Sequence, residues 1–224
     1  MALPHIVESA AGLTGFRAGA TTADMSAIKT LCVYCGSSSG VEPALYTAAE
    51  ALGRAMVEAG IDLVYGGGNN GLMGAIARTV LAGGGHVTGI IPDFLQRREN
   101  MLDGTQEMIV VPDMHTRKRL MFERSDAFVA LPGGIGTLEE LVEQMTWVQL
   151  ERHTKPVLIA NIGEFWKPLL GLFEHMREFG FVRRDAEISY LVADRAEDIL
   201  PMIQAAHART LAAGREKLDV SPKL

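Results

Sequence analysis

The sequence lacks both an excess of basic residues and any long apolar run. Its 21 Lys and Arg stand against 27 Asp and Glu, for a net charge of -6. A nucleic-acid partner is disfavoured, because non-specific binding to nucleic-acid phosphates needs a basic surface. No apolar run reaches the about 18 to 20 residues that span a bilayer, and the N-terminus shows no secretory signal pattern. We therefore expect a cytoplasmic protein without a membrane partner.

Cysteine is scarce, and the usual metal-binding motifs are missing. The two cysteines, Cys32 and Cys35, have the Cys-x-x-Cys spacing of a redox pair or of half a zinc site. They fall in an apolar segment that reads as a buried strand, where residues three apart point to opposite faces. No second Cys-x-x-Cys is present, and the six histidines include no His-Glu-x-x-His. The sequence therefore predicts two unbridged, buried cysteines and no metal site.

Two common nucleotide-binding signatures are also absent. No Gly-x-Gly-x-x-Gly follows the first predicted strand, and no Gly-x-x-x-x-Gly-Lys-Ser/Thr occurs anywhere in the chain. Classical NAD binding and P-loop phosphoryl transfer both lose support. The glycine-rich loops of this sequence therefore need another interpretation.

What the sequence does contain is a regular alternation of strands and helices. With 224 residues and 48% hydrophobic side chains, the chain is long enough for one substantial core. Near-continuous apolar strands separated by amphipathic helices predict an α/β fold, a doubly wound, mostly parallel Rossmann-like sheet with helices on both faces. The predicted strands are 31–34, 62–65, 86–91, 108–111, 127–131, 156–160 and 191–193, and the predicted helices are 42–59, 72–81, 114–124, 137–150, 165–179 and 196–213.

This alternation predicts a single catalytic domain over residues 25–214. Residues 1–24 are rich in Ala, Gly and Thr with weak periodicity, which is typical of a flexible N-terminal extension, and residues 215–224 form a C-terminal tail. Ligands of a doubly wound sheet bind at the carboxyl ends of the strands, where the strand order reverses. The loops that follow the strands are therefore the candidate sites.

The first such loop runs from Cys35 to Gly40 and is built of glycine and serine. Its small residues, free backbone N–H groups and hydroxyls can cradle an anion, which makes Gly36 and Ser37 candidate ligand contacts. An ordinary turn, in which Ser38 or Ser39 starts a helix, explains the same residues equally well.

The second loop contains five glycines in the nine positions from Gly66 to Gly74. Consecutive glycines cost conformational entropy, about 0.5 to 1 kcal/mol each relative to alanine in regular structure. A purely structural turn is one interpretation. We favour close approach of a ligand, with Gly67 and Gly68 as candidate contacts.

The third loop, Leu131 to Glu140, opens a helix with several glycines. The N-terminus of that helix would present backbone donors and about half a positive charge to a phosphate, with Gly133, Gly134 and Gly136 in contact. The alternative is a capping box, because Thr137-x-x-Glu140 has its spacing. Spacing alone favours the cap.

A basic segment upstream, Met114 to Met121, also opens a helix, and Asp113 is its predicted cap. Arg117 lies one helical turn from both methionines and can therefore face inward, on the apolar side. The alternative is that the three consecutive basic residues form a solvent-exposed face, an interpretation that fits Arg119 best.

Three motifs occur in a fixed order, namely Tyr-Gly-Gly-Gly, Met-x-x-Arg-Lys and Pro-Gly-Gly-x-Gly-Thr-x-x-Glu. Together they resemble the Lonely Guy family of cytokinin riboside 5'-monophosphate phosphoribohydrolases, formerly labelled lysine decarboxylases, over roughly residues 28–193. The resemblance implies hydrolysis of the N-glycosidic bond of N6-modified adenosine 5'-monophosphates, which releases the free base and ribose 5-phosphate. It also implies a homodimer that uses no metal and no organic cofactor.

The resemblance assigns roles residue by residue. It makes Arg117 and Glu140 the catalytic pair, and it implies substrate contacts at Glu99, Lys118, Gly134, Gly136, Thr137 and Thr146. Met114, the first residue of the second motif, is a further candidate substrate contact. Ile135 departs from the family pattern, since some members carry an aromatic residue there, and this could alter the preference for the base or its prenyl group. The segment Met145–Val148, which contains Trp147, is a candidate for interface anchors.

Two other functions stay open at the level of sequence. One is a general AMP nucleosidase that acts on the unmodified nucleotide. The other is a non-catalytic nucleotide or cofactor carrier, against which the presence of both Arg117 and Glu140 speaks. A decarboxylase would need pyridoxal phosphate on a lysine, and no lysine here lies in a setting that marks a Schiff base.

Overall fold

The computed structural model describes residues 27–38, 40, 42–96, 100–102, 104–182 and 189–219, and of 214–219 it describes the backbone alone. Within these ranges seven strands form one parallel sheet in the order β4-β3-β2-β1-β5-β6-β7. The strands are β1 (Thr30–Tyr34), β2 (Asp62–Tyr65), β3 (Val87–Pro92), β4 (Glu107–Val111), β5 (Ala127–Ala130), β6 (Val157–Ala160) and β7 (Leu191–Ala193). The predicted fold class is confirmed.

Within the described ranges there are six α-helices, of which five lie between strands and the sixth follows β7. They are α1 (Pro43–Glu58), α2 (Gly71–Ala82), α3 (Met114–Glu123), α4 (Ile135–Gln149), α5 (Lys167–Glu178) and α6 (Ala196–Asp219). The helix α6 continues past its predicted end at residue 213. The predicted extension 1–24 lies outside the described residues, as do residues 220–224 of the predicted tail. No helix in the described ranges has the length and apolar character that crossing a bilayer requires.

The strands are apolar on both faces because helices cover the sheet on both sides. Successive residues of β1 enter different cores, with Val33 in one apolar cluster and Cys32 in the other. Cys35 falls in the same cluster as Val33, and both cysteines are free and buried. The prediction of unbridged cysteines on opposite faces is therefore confirmed, and burial raises the pKa of the Cys32 thiol far above its usual range.

The start of α4 differs from the sequence prediction. The helix begins at Ile135, its N-cap is Gly134, and no side chain caps it. Thr137 is therefore the third residue of the helix, and Glu140 lies in its second turn. The predicted capping box is wrong, because the glycine-rich backbone turns into the helix two residues before the threonine that was expected to cap it.

The strand order reverses between β1 and β5, and the loops that follow these two strands interlock. The N–H of Gly36 donates to the carbonyl oxygen of Pro132 at 3.1 Å, and the carbonyl oxygen of Gly36 accepts from the N–H of Leu72 at 3.0 Å. The loop after β1 is thus held between the loop after β5 and the start of α2. This is the switch point at which doubly wound sheets bind ligands.

Gly71 allows α2 to start against the β1 loop. Its φ is +57°, and a Cβ atom there would overlap the carbonyl oxygen of Ser38 and lie 2.7 Å from that of Gly36. Only glycine combines this left-handed conformation with such a close approach of two backbones.

We predict that Gly71→Ala destabilises the fold by about 2 to 4 kcal/mol, because backbone strain and steric overlap add. Gly60→Ala is the matched control, since Gly60 also has a positive φ but nothing lies within 4 Å of its would-be Cβ. The control should cost about 1 to 2 kcal/mol from strain alone. Urea unfolding measures both, and equal losses would refute the steric part of the argument.

Candidate active site

A cavity of about 400 Å³ opens at the carboxyl ends of β1 and β5. The starts of α1, α2, α3 and α4 all contribute to its lining. It brings together most of the residues singled out from the sequence, namely Gly36, Ser37, Met114, Arg117, Gly133, Gly134, Gly136, Thr137 and Glu140.

Arg117 reaches the cavity floor from α3 and is held there by backbone oxygens. Its Nε donates to the carbonyl oxygen of Ile90 at 3.1 Å, and its Nη2 donates to that of Gly66 at 3.5 Å. A side chain at Gly66 would overlap Nη2 and would force the guanidinium out of this position. The prediction that Arg117 faces inward is confirmed, because the residue is only 5% exposed.

Glu140 reaches the same place from α4 and forms an ion pair with Arg117. The Nη1 of Arg117 lies 3.3 Å from the Oε1 of Glu140, and Glu140 is also 5% exposed. Met114 lies beside the guanidinium, with its sulfur 3.9 Å from Nη1. Apolar neighbours exclude water, so the attraction between these two charges is stronger here than on the surface.

Four helix N-termini converge on the cavity, and they differ in the backbone donors that they offer. The first residue of α1 is Pro43, which has no N–H. In α2 the N–H groups of Leu72 and Met73 donate to the carbonyl oxygen of Gly36. In α3 the carboxylate of Asp113 accepts from the N–H of Thr116 at 2.7 Å, as predicted from the sequence. These three helices therefore offer few donors to an anion.

The N-terminus of α4 is different. Among the described residues, no acceptor is seen for the N–H groups of Ile135, Gly136 and Thr137. Open space lies where side chains would project from Gly134 and Gly136. With the helix dipole behind them, these groups are the best-placed anion donors in the cavity. Glycine is present at Gly133 for a different reason, because a side chain there would collide with Thr137.

Gly67 and Gly68 do not line the cavity. Gly67 has a φ of +81°, and a Cβ there would lie 3.1 Å from the Cβ of Ile91, while Gly68 pairs with Met101 in an isolated antiparallel bridge. Gly67 therefore has a structural reason, since a side chain there would press on Ile91. The ligand contacts that the sequence analysis favoured for Gly67 and Gly68 stay a prediction.

Two further candidates lie outside the cavity lining. The ammonium of Lys118 binds the carboxylates of Glu139 and Glu143, beside the cavity rather than in its lining. Thr146 is exposed on α4 three turns after its start, and its hydroxyl donates to the carbonyl oxygen of Val142. Glu99 lies outside the described residues, so its position is not part of this geometry.

Sequence reasoning missed the apolar side of the cavity. We call this side the apolar wall, and it consists of Leu45, Tyr46, Leu72, Met73 and Phe165. The wall is contiguous because α1 packs against both α2 and the 3-10 turn that precedes Phe165. One local signal could have indicated Leu45 and Tyr46. Both lie in the first turn of the helix that follows the first glycine–serine loop.

The chain is similar to a known protein family and to characterised enzymes of plants. The family model described as "Possible lysine decarboxylase" matches residues 73–203. A cytokinin riboside 5'-monophosphate phosphoribohydrolase of Oryza sativa subsp. japonica is 45% identical over 175 residues, which cover 78% of this chain and 72% of that protein. One of Arabidopsis thaliana is 44% identical over 179 residues, covering 80% and 82%.

Solved structures share the fold at lower identity. The molybdenum cofactor binding protein from Rippkaea orientalis has a TM-score of 0.61 and 21% identity, covering 79% of this chain and 96% of its own. The molybdenum cofactor carrier protein from Chlamydomonas reinhardtii has a TM-score of 0.61 and 20% identity, covering 81% and 98%. At this level of identity the likeness concerns the fold alone.

Proposed function

The chain belongs to the Lonely Guy family of cytokinin riboside 5'-monophosphate phosphoribohydrolases, and from this premise we propose that it hydrolyses N6-modified adenosine 5'-monophosphates. It is an N-glycosyl hydrolase. The oxygen of a water molecule bonds to C1' of the ribose while the bond from C1' to the base nitrogen breaks, and a proton of that water ends on the base, which gives the free base and ribose 5-phosphate. The observation that carries the proposal is a buried Arg117–Glu140 pair in the same cavity as the open N-terminus of α4.

The N-terminus of α4 is the proposed site of the 5'-phosphate. The N–H groups of Ile135, Gly136 and Thr137 supply the hydrogen bonds, and Gly36 and Ser37 lie across the same cavity. Hydrogen bonds to a charged group contribute about 1.5 to 3 kcal/mol each. Two or three of them bind the phosphate and orient the ribose toward Glu140.

Glu140 is the proposed electrostatic catalyst. Cleavage of a ribosyl bond passes through a state with oxocarbenium character, and a nearby carboxylate stabilises the positive charge that develops on the sugar. Arg117 is a permanent cation and therefore a poor proton donor. Its proposed roles are to fix the carboxylate of Glu140 and to hold the departing base or the phosphate by hydrogen bonds.

The apolar wall supports a substituted base over plain AMP. An N6 substituent such as a prenyl group is apolar, and Tyr46, Leu72 and Phe165 offer it a surface of the same character. Each buried methylene group in such a site favours binding by about 1 kcal/mol. General AMP nucleosidase activity is the second candidate. A carrier that only binds its ligand is disfavoured, because it has no need of the buried ion pair.

The test is to incubate the protein with isopentenyladenosine monophosphate, AMP and the two corresponding nucleosides, and to separate the products by chromatography. We expect base release from the nucleotides, fastest from the isopentenyl one. The nucleosides should have a kcat/KM at least about a hundredfold lower, because they lose the charge-assisted bonds at α4. Equal cleavage of nucleoside and nucleotide would refute the proposed phosphate site. No cleavage of any of the four compounds would favour a carrier that binds its ligand without cleaving it.

A second prediction concerns Glu140. Glu140→Gln should reduce turnover at least about a hundredfold, on the scale of one key electrostatic group. It should also destabilise the fold by about 2 to 4 kcal/mol, because Arg117 stays buried without a counter-charge. Glutamine would complete a capping box and leave folding normal if Glu140 were part of the cap, but Glu140 lies in the second turn of α4.

The matched control for this variant is Glu123→Gln, which removes an exposed ion pair with Arg119. It should leave turnover unchanged and cost less than about 0.5 kcal/mol. Arg117→Ala should reduce turnover about as much as Glu140→Gln. If Glu140→Gln keeps near-normal turnover, the catalytic carboxylate must be another, such as Glu42 in the same cavity lining or Glu99.

We also propose a cytoplasmic homodimer with its active site near the interface, supported by the family resemblance. The predicted anchors need revision, because Met145 is buried and Trp147 packs edge-on against Phe122 of the same chain, with ring centroids 5.1 Å apart. Val142 on α4 and Leu150 at its C-cap are exposed and are better candidates. Light scattering at micromolar concentration should give the mass of two chains, and a monomeric mass would refute the proposal.

A further inference from the structure

Three charged side chains are among the described residues that line the cavity, and one of them is left unpaired in the part of the chain that the structure describes. Arg117 and Glu140 form the buried ion pair. The third is Glu42, at the N-cap of α1, whose carboxylate makes no capping hydrogen bond and no ion pair within the described ranges. Glu42 is exposed, and its carboxylate is therefore an acceptor that water or a ligand can reach.

Glu42 lies at the end of the apolar wall rather than beside the proposed phosphate site. Leu45 and Tyr46 follow it by one turn on the same side of α1, and both belong to the wall. The phosphate site lies at the other end of the first loop, where a side chain on Gly36 would lie 3.3 Å from the Cα of Gly133. Because a carboxylate repels a phosphate, Glu42 favours the orientation in which the phosphate stays at α4 and the N6 substituent lies toward α1.

This end of the cavity is an apolar surface with one acceptor beyond it. An ionised carboxylate accepts hydrogen bonds and donates none. A wholly hydrocarbon substituent would contact Leu45 and Tyr46, but it has no donor to replace the water that it displaces from Glu42. A substituent of similar length that ends in a hydroxyl would contact the same wall and also donate to the carboxylate.

We propose that Glu42 is a specificity-determining residue, which selects substrates whose N6 substituent is an apolar chain that ends in a hydrogen-bond donor such as a hydroxyl. The proposal rests on the proposed hydrolase function and adds a preference among its substituted substrates. A buried acceptor left without its partner would reject the hydrocarbon analogue by a factor of about ten thousand. Because Glu42 is exposed, water pairs with it when no donor is bound, and the preference is reduced to about tenfold.

Three nucleotides that differ only at the end of the N6 chain test this preference. One is isopentenyladenosine monophosphate, the second carries a hydroxyl on a terminal methyl group of the same chain, and the third is the methyl ether of that hydroxyl. The ether keeps the oxygen but has no proton to donate. For each nucleotide we would measure kcat/KM. We would also measure the Kd of its carbocyclic analogue, in which a methylene group replaces the ribose ring oxygen, so that no oxocarbenium state can form.

The variant is Glu42→Met, which replaces the carboxylate by an apolar side chain of similar length. Glu50→Met is the matched control, because Glu50 lies on the same helix outside the cavity lining and pairs with Arg54 at the surface. Glu42→Met also removes a negative charge and thereby favours the phosphate of every ligand alike. The ratio between two ligands therefore reports on the substituent. The melting temperature should stay near that of wild type, because the Glu42 side chain does not cap α1.

For the wild-type protein we expect kcat/KM to be about tenfold higher for the hydroxylated nucleotide than for the isopentenyl one, and the methyl ether to be no better than the isopentenyl nucleotide. Glu42→Met should abolish or reverse this order, because its side chain extends the apolar wall and offers no acceptor. Glu50→Met should keep the wild-type order. The Kd values of the carbocyclic analogues should follow the same ratios.

Two results would overturn the proposal. One is a wild-type preference for the hydroxylated nucleotide of less than about twofold, or a preference that Glu42→Met leaves intact. The other is an equal loss of kcat/KM in Glu42→Met for AMP and for all three substituted nucleotides, which would assign Glu42 to the ribose or to the reaction itself.

Failure of the hydrolase function gives a different result. If the wild-type protein cleaves none of the nucleotides, that function is wrong, yet the Kd ratios of the carbocyclic analogues still test Glu42, since binding needs no turnover. Equal Kd values for the hydroxylated and isopentenyl analogues in an active enzyme would refute the specificity role alone.

Discussion

The buried ion pair between Arg117 and Glu140 is the constraint on which the arrangement of this site depends. Two charges taken out of water are costly unless geometry and further hydrogen bonds compensate them. The structure supplies this compensation with the carbonyl oxygens of Ile90 and Gly66. The absence of a side chain at Gly66, the path of the loop after β2 and the placement of α3 against β3 all follow from the need to hold one guanidinium.

The parallel sheet then decides what surrounds the pair. Because every strand runs in the same direction, the starts of four helices meet at one edge of the sheet. Three of them are closed by a proline, by interlocked loop carbonyls or by a capping carboxylate, whereas the first N–H groups of α4 have no acceptor among the residues that the structure describes. One charged pair beside one open helix N-terminus is an arrangement suited to a substrate that carries both a phosphate and a scissile glycosidic bond.

The fold could be predicted from the sequence with few errors, because near-continuous apolar strands and amphipathic helices are local signals. The site was predicted less evenly. Arg117 was assigned to the inward face from the spacing of its methionines, and the glycines before α4 were assigned to an anion site. Glycine-rich composition, however, does not distinguish a loop that faces a ligand from one that makes room for another side chain. Gly66 and Gly67 belong to the second kind, because side chains there would meet Arg117 and Ile91.

By itself the sequence determined the elements, their order and the residue types available for chemistry, because these depend on periodicity and on motifs of a few residues. Only the tertiary structure decided which of these residues meet. It placed Lys118 on Glu139 and Glu143, moved the start of α4 to Ile135, and assembled the apolar wall from α1, α2 and the turn at Phe165. Each of these outcomes depends on contacts between segments distant in sequence, and such contacts leave no periodic signal in the chain.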